Sequence, residues 1–213
     1  MGKVRFSISV SIDGYMAGPR QSIEDPLGVG GMQLHAWAFE LEAFQRMHGC
    51  EGGVVNASTQ IVDEHFAGAG AVAVGQNMFG GQPGPWGSGG WRGWWGEDPP
   101  FHLPVFVVTH HPRAPLRMGG GTTFHFVTGI EAALEGARGA AQGKDVVLGG
   151  GARPHPTVSG GRPRRRDRVS LVPVLLGAGE RPFEGLRGAV PRLAQDRVVE
   201  APGVTQLRYR VVL

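Results

Sequence analysis

Three apolar runs restrict the fold more than any other feature of the chain. They are "AVAVG" at 71–75, "PVFVVT" at 104–109 and "DVVLGGG" at 145–151. Short continuous apolar runs bounded by glycine or polar turns read as strands covered on both faces. "TFHFV" at 123–127 reads as another strand, and "VSLVPVLLG" at 169–177 is apolar enough for one more. Pro173 places that last strand at an edge or a bulge, because proline donates nothing to a ladder. The first strand, 3–12, alternates, with Val4, Phe6, Ile8, Val10 and Ile12 on one face. The final strand, 204–213, alternates too, with Thr205, Leu207, Tyr209 and Val211 opposed to Arg208 and Arg210. Helical spacing falls between the strands. Leu34, Trp37, Leu41 and Phe44 mark a helix over 32–47, and Ile61, Val62 and Phe66 mark one over 58–66 behind a Ser58 cap. Ile130, Ala133, Leu134 and Ala137 form the inward stripe of a third, with Thr128 and Glu131 as a capping box and Gly143 as the stop. Strands interleaved with helices imply an α/β sheet with helices packed on it, in one domain over 1–213.

Composition excludes several classes. The net charge of +3 is local, since 153–168 holds six arginines and one aspartate and the remainder is slightly acidic. The bulk of the surface therefore gives no reason to expect a nucleic-acid partner. The single Cys50 permits no intrachain disulfide and makes a cysteine zinc site improbable. No apolar run approaches membrane-spanning length and no secretory leader precedes the first strand, so a cytoplasmic location is expected. Abundant Gly, Ala and Pro, with 19 arginines to 2 lysines, point to a GC-rich bacterial gene.

Chemistry has few places to reside. Gly149, Gly150 and Gly151 follow a buried strand and could admit a pyrophosphate against their backbone, though without the GxGxxG spacing they also read as a plain turn. Thr109, His110, His111 and Arg113 sit at a strand end where α/β sheets bind ligands, and could equally be a solvated loop exit. Gly75, Gln76, Asn77 and Met78 end another strand. The loop 80–103 carries Trp86, Trp91, Trp94 and Trp95. These rings form either a wall over a planar ligand or a patch docked on the protein's own surface or a second subunit, so a homodimer is compatible with them. Asp13, Glu40 and Glu42 are the carboxylates placed to handle protons, and each also suits a turn or a solvated helix.

In order along the chain, "FSISVSIDGYMAGP", "EDPLGVGG", "GQNMFGG", "WWGEDPPFHLPVFVVTHHPR", "GKDVVLGGGA" and "LVPVLLGAGERPFEGL" resemble the dihydrofolate reductase-like family, in the branch related to the reductase domain of riboflavin biosynthesis. The resemblance implies a three-layer α/β fold with a mixed, mainly parallel sheet, and an NADPH-dependent reductase acting on a small heterocyclic substrate. It implies that Gly149, Gly150 and Gly151 face the cofactor pyrophosphate and that Thr109, His110, His111 and Arg113 lie near the adenosine phosphate. Residues 75–78 would touch the cofactor, and Asp13 would lie by the nicotinamide and substrate. Relatives carry arginine where this chain has Gln76, and glutamine lacks the charged fork that grips phosphate, so NADH is admitted beside NADPH. A nucleotide-binding protein with weak or no catalysis is the alternative. No deaminase-like segment precedes the reductase-like part, so a bifunctional riboflavin enzyme is not expected.

The window 153–168, "RPHPTVSGGRPRRRDR", departs from this pattern. The family places a helix here, yet three prolines and two glycines oppose one. An irregular loop is expected in its place. Synonymous codons for 153–169 exist whose neighbouring frame reads VHIQQYLAGGLVDEIE, a helix, a glycine stop and the start of a strand. Two compensating frame changes in the gene would produce the window.

Overall fold

The computed structural model describes residues 2–80, 84–86, 90–150, 165–184 and 192–212. One nine-stranded sheet forms the centre, in the order β4-β5-β3-β2-β6-β1-β7-β9-β8. Its strands are β1 (Val4–Ser11), β2 (Ala69–Gly75), β3 (Pro104–Val108), β4 (Leu116–Arg117), β5 (Thr123–Val127), β6 (Asp145–Leu148), β7 (Arg165–Val172), β8 (Arg192–Ala201) and β9 (Val204–Val212). Strands β5, β3, β2, β6, β1 and β7 run parallel, whereas β4, β9 and β8 join antiparallel to their neighbours. The expected α/β architecture with a mixed, mainly parallel sheet is the one present.

Alternation along the central strands divides the core in two. Ala71 and Ala73 of β2 join Phe6, Ile8, Phe106, Val146 and Leu148 under helix α5 (Ile130–Ala141), which contributes Ala133, Leu134 and Ala137. Val72 and Val74 point the other way, into a cluster with Phe79, Phe101, Val105, Val107, Phe124 and Phe126. Helix and sheet approach so closely that a Cβ on Gly136 would meet the Phe106 ring at 2.5 Å.

Several local expectations change. The capping box does not form: Gly129 is the N-cap at φ 88°, ψ 147°, and no side chain caps α5. The chain leaves β5 through a conformation that favours glycine, and Thr128 lies one residue too early to cap. The helix expected over 32–47 is broken into a 3-10 turn (Gly31–Leu34), α1 (Ala36–Phe39) and α2 (Glu42–Met47). Leu41 is extended because the backbone there binds residue 54, Glu42 N donating to the Val54 carbonyl and Val54 N to that of Glu40. At α3 (Thr59–Phe66), Ser58 makes no side-chain cap; the Asn56 carboxamide accepts the Ser58 amide and the Thr59 hydroxyl accepts the Asn56 amide.

Strand β7 lies inside the sheet, between β1 and β9, not at an edge. Pro173 falls just past its last paired residue, Val172, so its missing N–H costs no ladder bond. Residues 165–168, expected within an irregular loop, extend this strand, with Arg168 opposite Arg208 and Asp167 opposite Tyr209. The remainder of that window, 153–164, lies outside the described residues. Ile12, expected on the buried face of β1, lies beyond its end and is exposed.

Candidate functional site

A cleft of about 400 Å³ opens where β2 and β6 end. Gly149 and Gly150, just past β6, line it together with Asn77 and Met78, from the short helix α4 (Gln76–Gly80) that follows β2. The two turns are stitched together, since Gly149 N donates to the Ala73 carbonyl and Gly75 N to that of Gly150. A Cβ on Gly149 would meet Met78 Sδ at 2.9 Å and Val74 at 3.0 Å, so any larger residue there would push the Met78 side chain aside. Gly151 lies outside the described residues.

From there the cleft runs into an aromatic pocket. The broken helical stretch contributes His35, Phe39, Phe44 and His48, whose rings succeed one another at 6.4, 5.3 and 4.2 Å between centroids. The apolar stripe read as one core-facing helix thus supplies a cleft wall as well as buried Leu34 and Leu41. Helix α3 adds Ile61, Val62, His65 and Phe66, and β1 adds Ser7, Ile8 and Ser9. Burial pushes His35 down to about 4, and burial, reinforced by the charges of Arg168 and Arg5, does the same to His65. Both imidazoles are therefore neutral near pH 7.

The four tryptophans of the loop divide between two places. Trp86 and Trp91 dock on the protein itself, beside Phe79 and Phe126, and their indoles donate to the carbonyls of His111 and Phe79. Trp94 and Trp95, 5.2 Å apart, line the cleft with Phe101, and Trp94 donates to the Met78 carbonyl at 2.5 Å.

The residues singled out for an adenosine phosphate are tied into this loop. The Gln76 carboxamide donates to the Gly84 carbonyl and accepts the Thr109 hydroxyl, each at 2.5 Å. The Thr109 hydroxyl in turn accepts the His111 amide at 2.9 Å. The Arg113 guanidinium lies over the rings of Phe126, Trp86 and Phe79 at 4.3, 4.7 and 5.3 Å and donates to the Trp91 carbonyl at 2.7 Å. His110 is exposed.

Asp13 is engaged elsewhere. Its carboxylate accepts the amides of Leu176 at 3.2 Å and Gly177 at 2.7 Å, and it is not among the residues lining the cleft. The Ser11 hydroxyl and these amides hold its carboxyl below the ordinary value of 3.8. Glu180, which the sequence reading passed over, does line the cleft. So do His35 and His65, isolated histidines on apolar stretches, where sequence alone favours a core role.

The sequence model of the RibD C-terminal domain matches residues 2–206. Among solved structures, a protein of Shewanella sp. PV-4 described as a riboflavin biosynthesis protein is 15% identical, with a TM-score of 0.59 and 99% of each chain covered. A Corynebacterium diphtheriae pyrimidine reductase-like protein is 14% identical at a TM-score of 0.53, with 100% of this chain and 92% of that one covered. The Thermotoga maritima diaminohydroxyphosphoribosylaminopyrimidine deaminase/5-amino-6-(5-phosphoribosylamino)uracil reductase is 13% identical at 0.54, and this chain spans 57% of its length. At these identities the likeness is one of fold. Comparison with curated protein sequences gives no significant match.

Proposed function

Because the chain belongs to the RibD C-terminal domain family, we propose that it is a nicotinamide-dinucleotide-dependent reductase of a small heterocycle of the pyrimidine or pterin kind. The observation that carries this reading is a single cleft lined by both a glycine turn and an aromatic pocket. A dinucleotide fits the glycine end chemically. Gly149 and Gly150 put backbone rather than side chains on the cleft wall, where a pyrophosphate can approach closely. No comparable clamp for an adenosine phosphate stands ready among the described residues around 76 and 109–113, because Gln76, Thr109 and Arg113 are bound to the loop. Both NADPH and NADH are therefore expected to bind.

When bound, the dinucleotide supplies hydride for a C=N or C=O bond. The chain's part is to orient and to exclude water. Asn77 and Met78 border the dinucleotide end, the aromatic rings hold the acceptor ring flat, and Trp94 and Trp95 cover it. Asp13 acts through the backbone at 176–177, fixing the segment that leads to Glu180.

The test is a titration with NADPH and NADH, followed by their own fluorescence and by thermal unfolding. At a hundredfold excess over Kd, binding stabilises by about 2.7 kcal/mol, or very roughly 5–10 °C for a chain of this size. Absence of binding by both dinucleotides overturns the proposal. A second reading, nucleotide binding with little or no catalysis, is favoured by the engagement of the Asp13 carboxylate outside the cleft. Dinucleotide binding without oxidation across pterin, folate and ribosylaminopyrimidine substrates would select it.

A further inference from the structure

We infer that the aromatic pocket takes an uncharged, planar heteroaromatic ring carrying no phosphate. The inference rests on the reductase reading and narrows its substrate class. Arg168 is the one arginine or lysine among the described residues lining the cleft. Its guanidinium is already committed, donating to Glu64 Oε2 at 2.9 Å and to the Ile61 carbonyl at 2.8 Å. Of the three histidines in the lining, His35 and His65 are neutral because they are buried, and His48 sits at the exposed rim with its Nδ1 against the Phe44 carbonyl at 2.9 Å. Glu180 adds a carboxylate to the same lining.

A phosphate dianion brought into the buried part of this space would lose its hydration, meet a carboxylate and find no free guanidinium or ammonium among the described residues there. Burying an unpaired charge is prohibitive by comparison with burying a ring. What the pocket offers instead is ring faces and edges. His35, Phe39 and Phe44 follow one another on the stretch 35–44, and Trp94 lies tilted at 31° against Trp95. Such surfaces reward a flat partner by offset and edge contacts. The neutral imidazoles, each with one donor and one acceptor nitrogen, can hydrogen-bond ring heteroatoms without demanding charge. The glycine turn at 149 and 150, the place in the cleft suited to phosphates, belongs to the dinucleotide.

Riboflavin and its 5′-phosphate form a matched pair of probes that differ in the phosphate alone. Each is titrated with the full chain, and flavin fluorescence quenching by Trp94 and Trp95 reports binding. Riboflavin is expected to bind at least tenfold more tightly than its phosphate, and Trp94→Ala to weaken riboflavin about tenfold while the unfolding curve is unchanged. Equal affinity, tighter binding of the phosphate, or no binding of either overturns the inference. NADPH binding, read in the same samples by its own fluorescence, separates the two claims. If NADPH binds and riboflavin shows no preference, the reductase reading stands and the inference falls. If riboflavin is preferred and neither dinucleotide binds, the reductase reading falls.

Discussion

At position 76 the glutamine carboxamide ends between the Thr109 hydroxyl and the Gly84 carbonyl. A guanidinium placed there would reach further and carry charge toward the strand ends. Gln76→Arg is expected to raise the NADPH over NADH affinity ratio about tenfold, read from paired titrations, since arginine grips phosphate as a charged fork. No change in the ratio would separate position 76 from dinucleotide choice. Asp13 makes a different prediction. A carboxyl whose folded pKa lies below its unfolded value contributes stability above the unfolded value and loses it as pH falls through the folded one. Its hydrogen bonds from Ser11 and from residues 176 and 177 set that direction, so the contribution fades on acidification below about 3.8. In Asp13→Asn the acid limb of the Tm–pH profile should be flatter than in the parent protein, with the two profiles parallel near neutrality. Identical acid limbs would remove Asp13 as a contributor.

Among elements, α5 and β7 show what patterns reveal and what they conceal. The inward stripe of α5 was readable because burial selects side chains at helical spacing, and Ala133, Leu134 and Ala137 are all buried. Its cap was not, because a glycine at the N-cap leaves no chemical signature beside Thr128. Gly136 was equally silent, yet it sets the helix–sheet distance. Gly136→Ala should gain about 1 kcal/mol of helix propensity and lose more to the Phe106 ring, leaving a net cost of about 1–2 kcal/mol by urea unfolding. Strand β7 was legible only from 169 onward, because the charged run before it reads as loop, while the sheet pairs the whole of Arg165–Val172 with β1. On its other side the pairing with β9 sets Arg168 directly across from Arg208; burial lowers the Arg168 pKa, Glu64 opposes that, and Arg208 and Arg5 add to the lowering. Like charges directly opposed destabilise a ladder and opposite charges support it, by about 0.2–1 kcal/mol each. The same guanidinium is ion-paired with Glu64 at 2.9 Å, however, so Arg168→Glu sets two carboxylates together and takes the donor from the Ile61 carbonyl, and it should lower Tm by roughly 4–8 °C. With the synonymous codons that give VHIQQYLAGGLVDEIE the neighbouring frame reads glutamate at 168, so sequencing the gene across codons 153–169 tests the frame-change expectation directly. Codons that shift to any other segment dismiss it.

At the scale of the whole molecule, the sheet and its two-sided core followed from runs such as "AVAVG", because a strand covered on both faces has little alternative composition. The cleft was only half legible. Its glycine end stands at a strand terminus, where sequence reasoning looks for it. Its aromatic end is assembled from residues 35–48, 61–66, 94, 95 and 101, which are distant in the chain, and no local pattern links them. Docking of the tryptophan loop around Arg113 was hidden for the same reason. The sheet order also has a consequence in time. Strand β1 precedes both of its partners in the chain, since Val4 pairs with Val146 and Arg165, so it is synthesised with neither neighbour yet present. At about 5–20 residues per second that interval is about 7–30 s. Throughout it an apolar ribbon bearing Val4, Phe6, Ile8 and Val10 has no native shelter, and pairings this remote are slow to close. Until residues 146 and 165 are available, the shelter of β1 must come from something other than its native neighbours, and its open edges are the part of the folding chain most exposed to pairing with another copy.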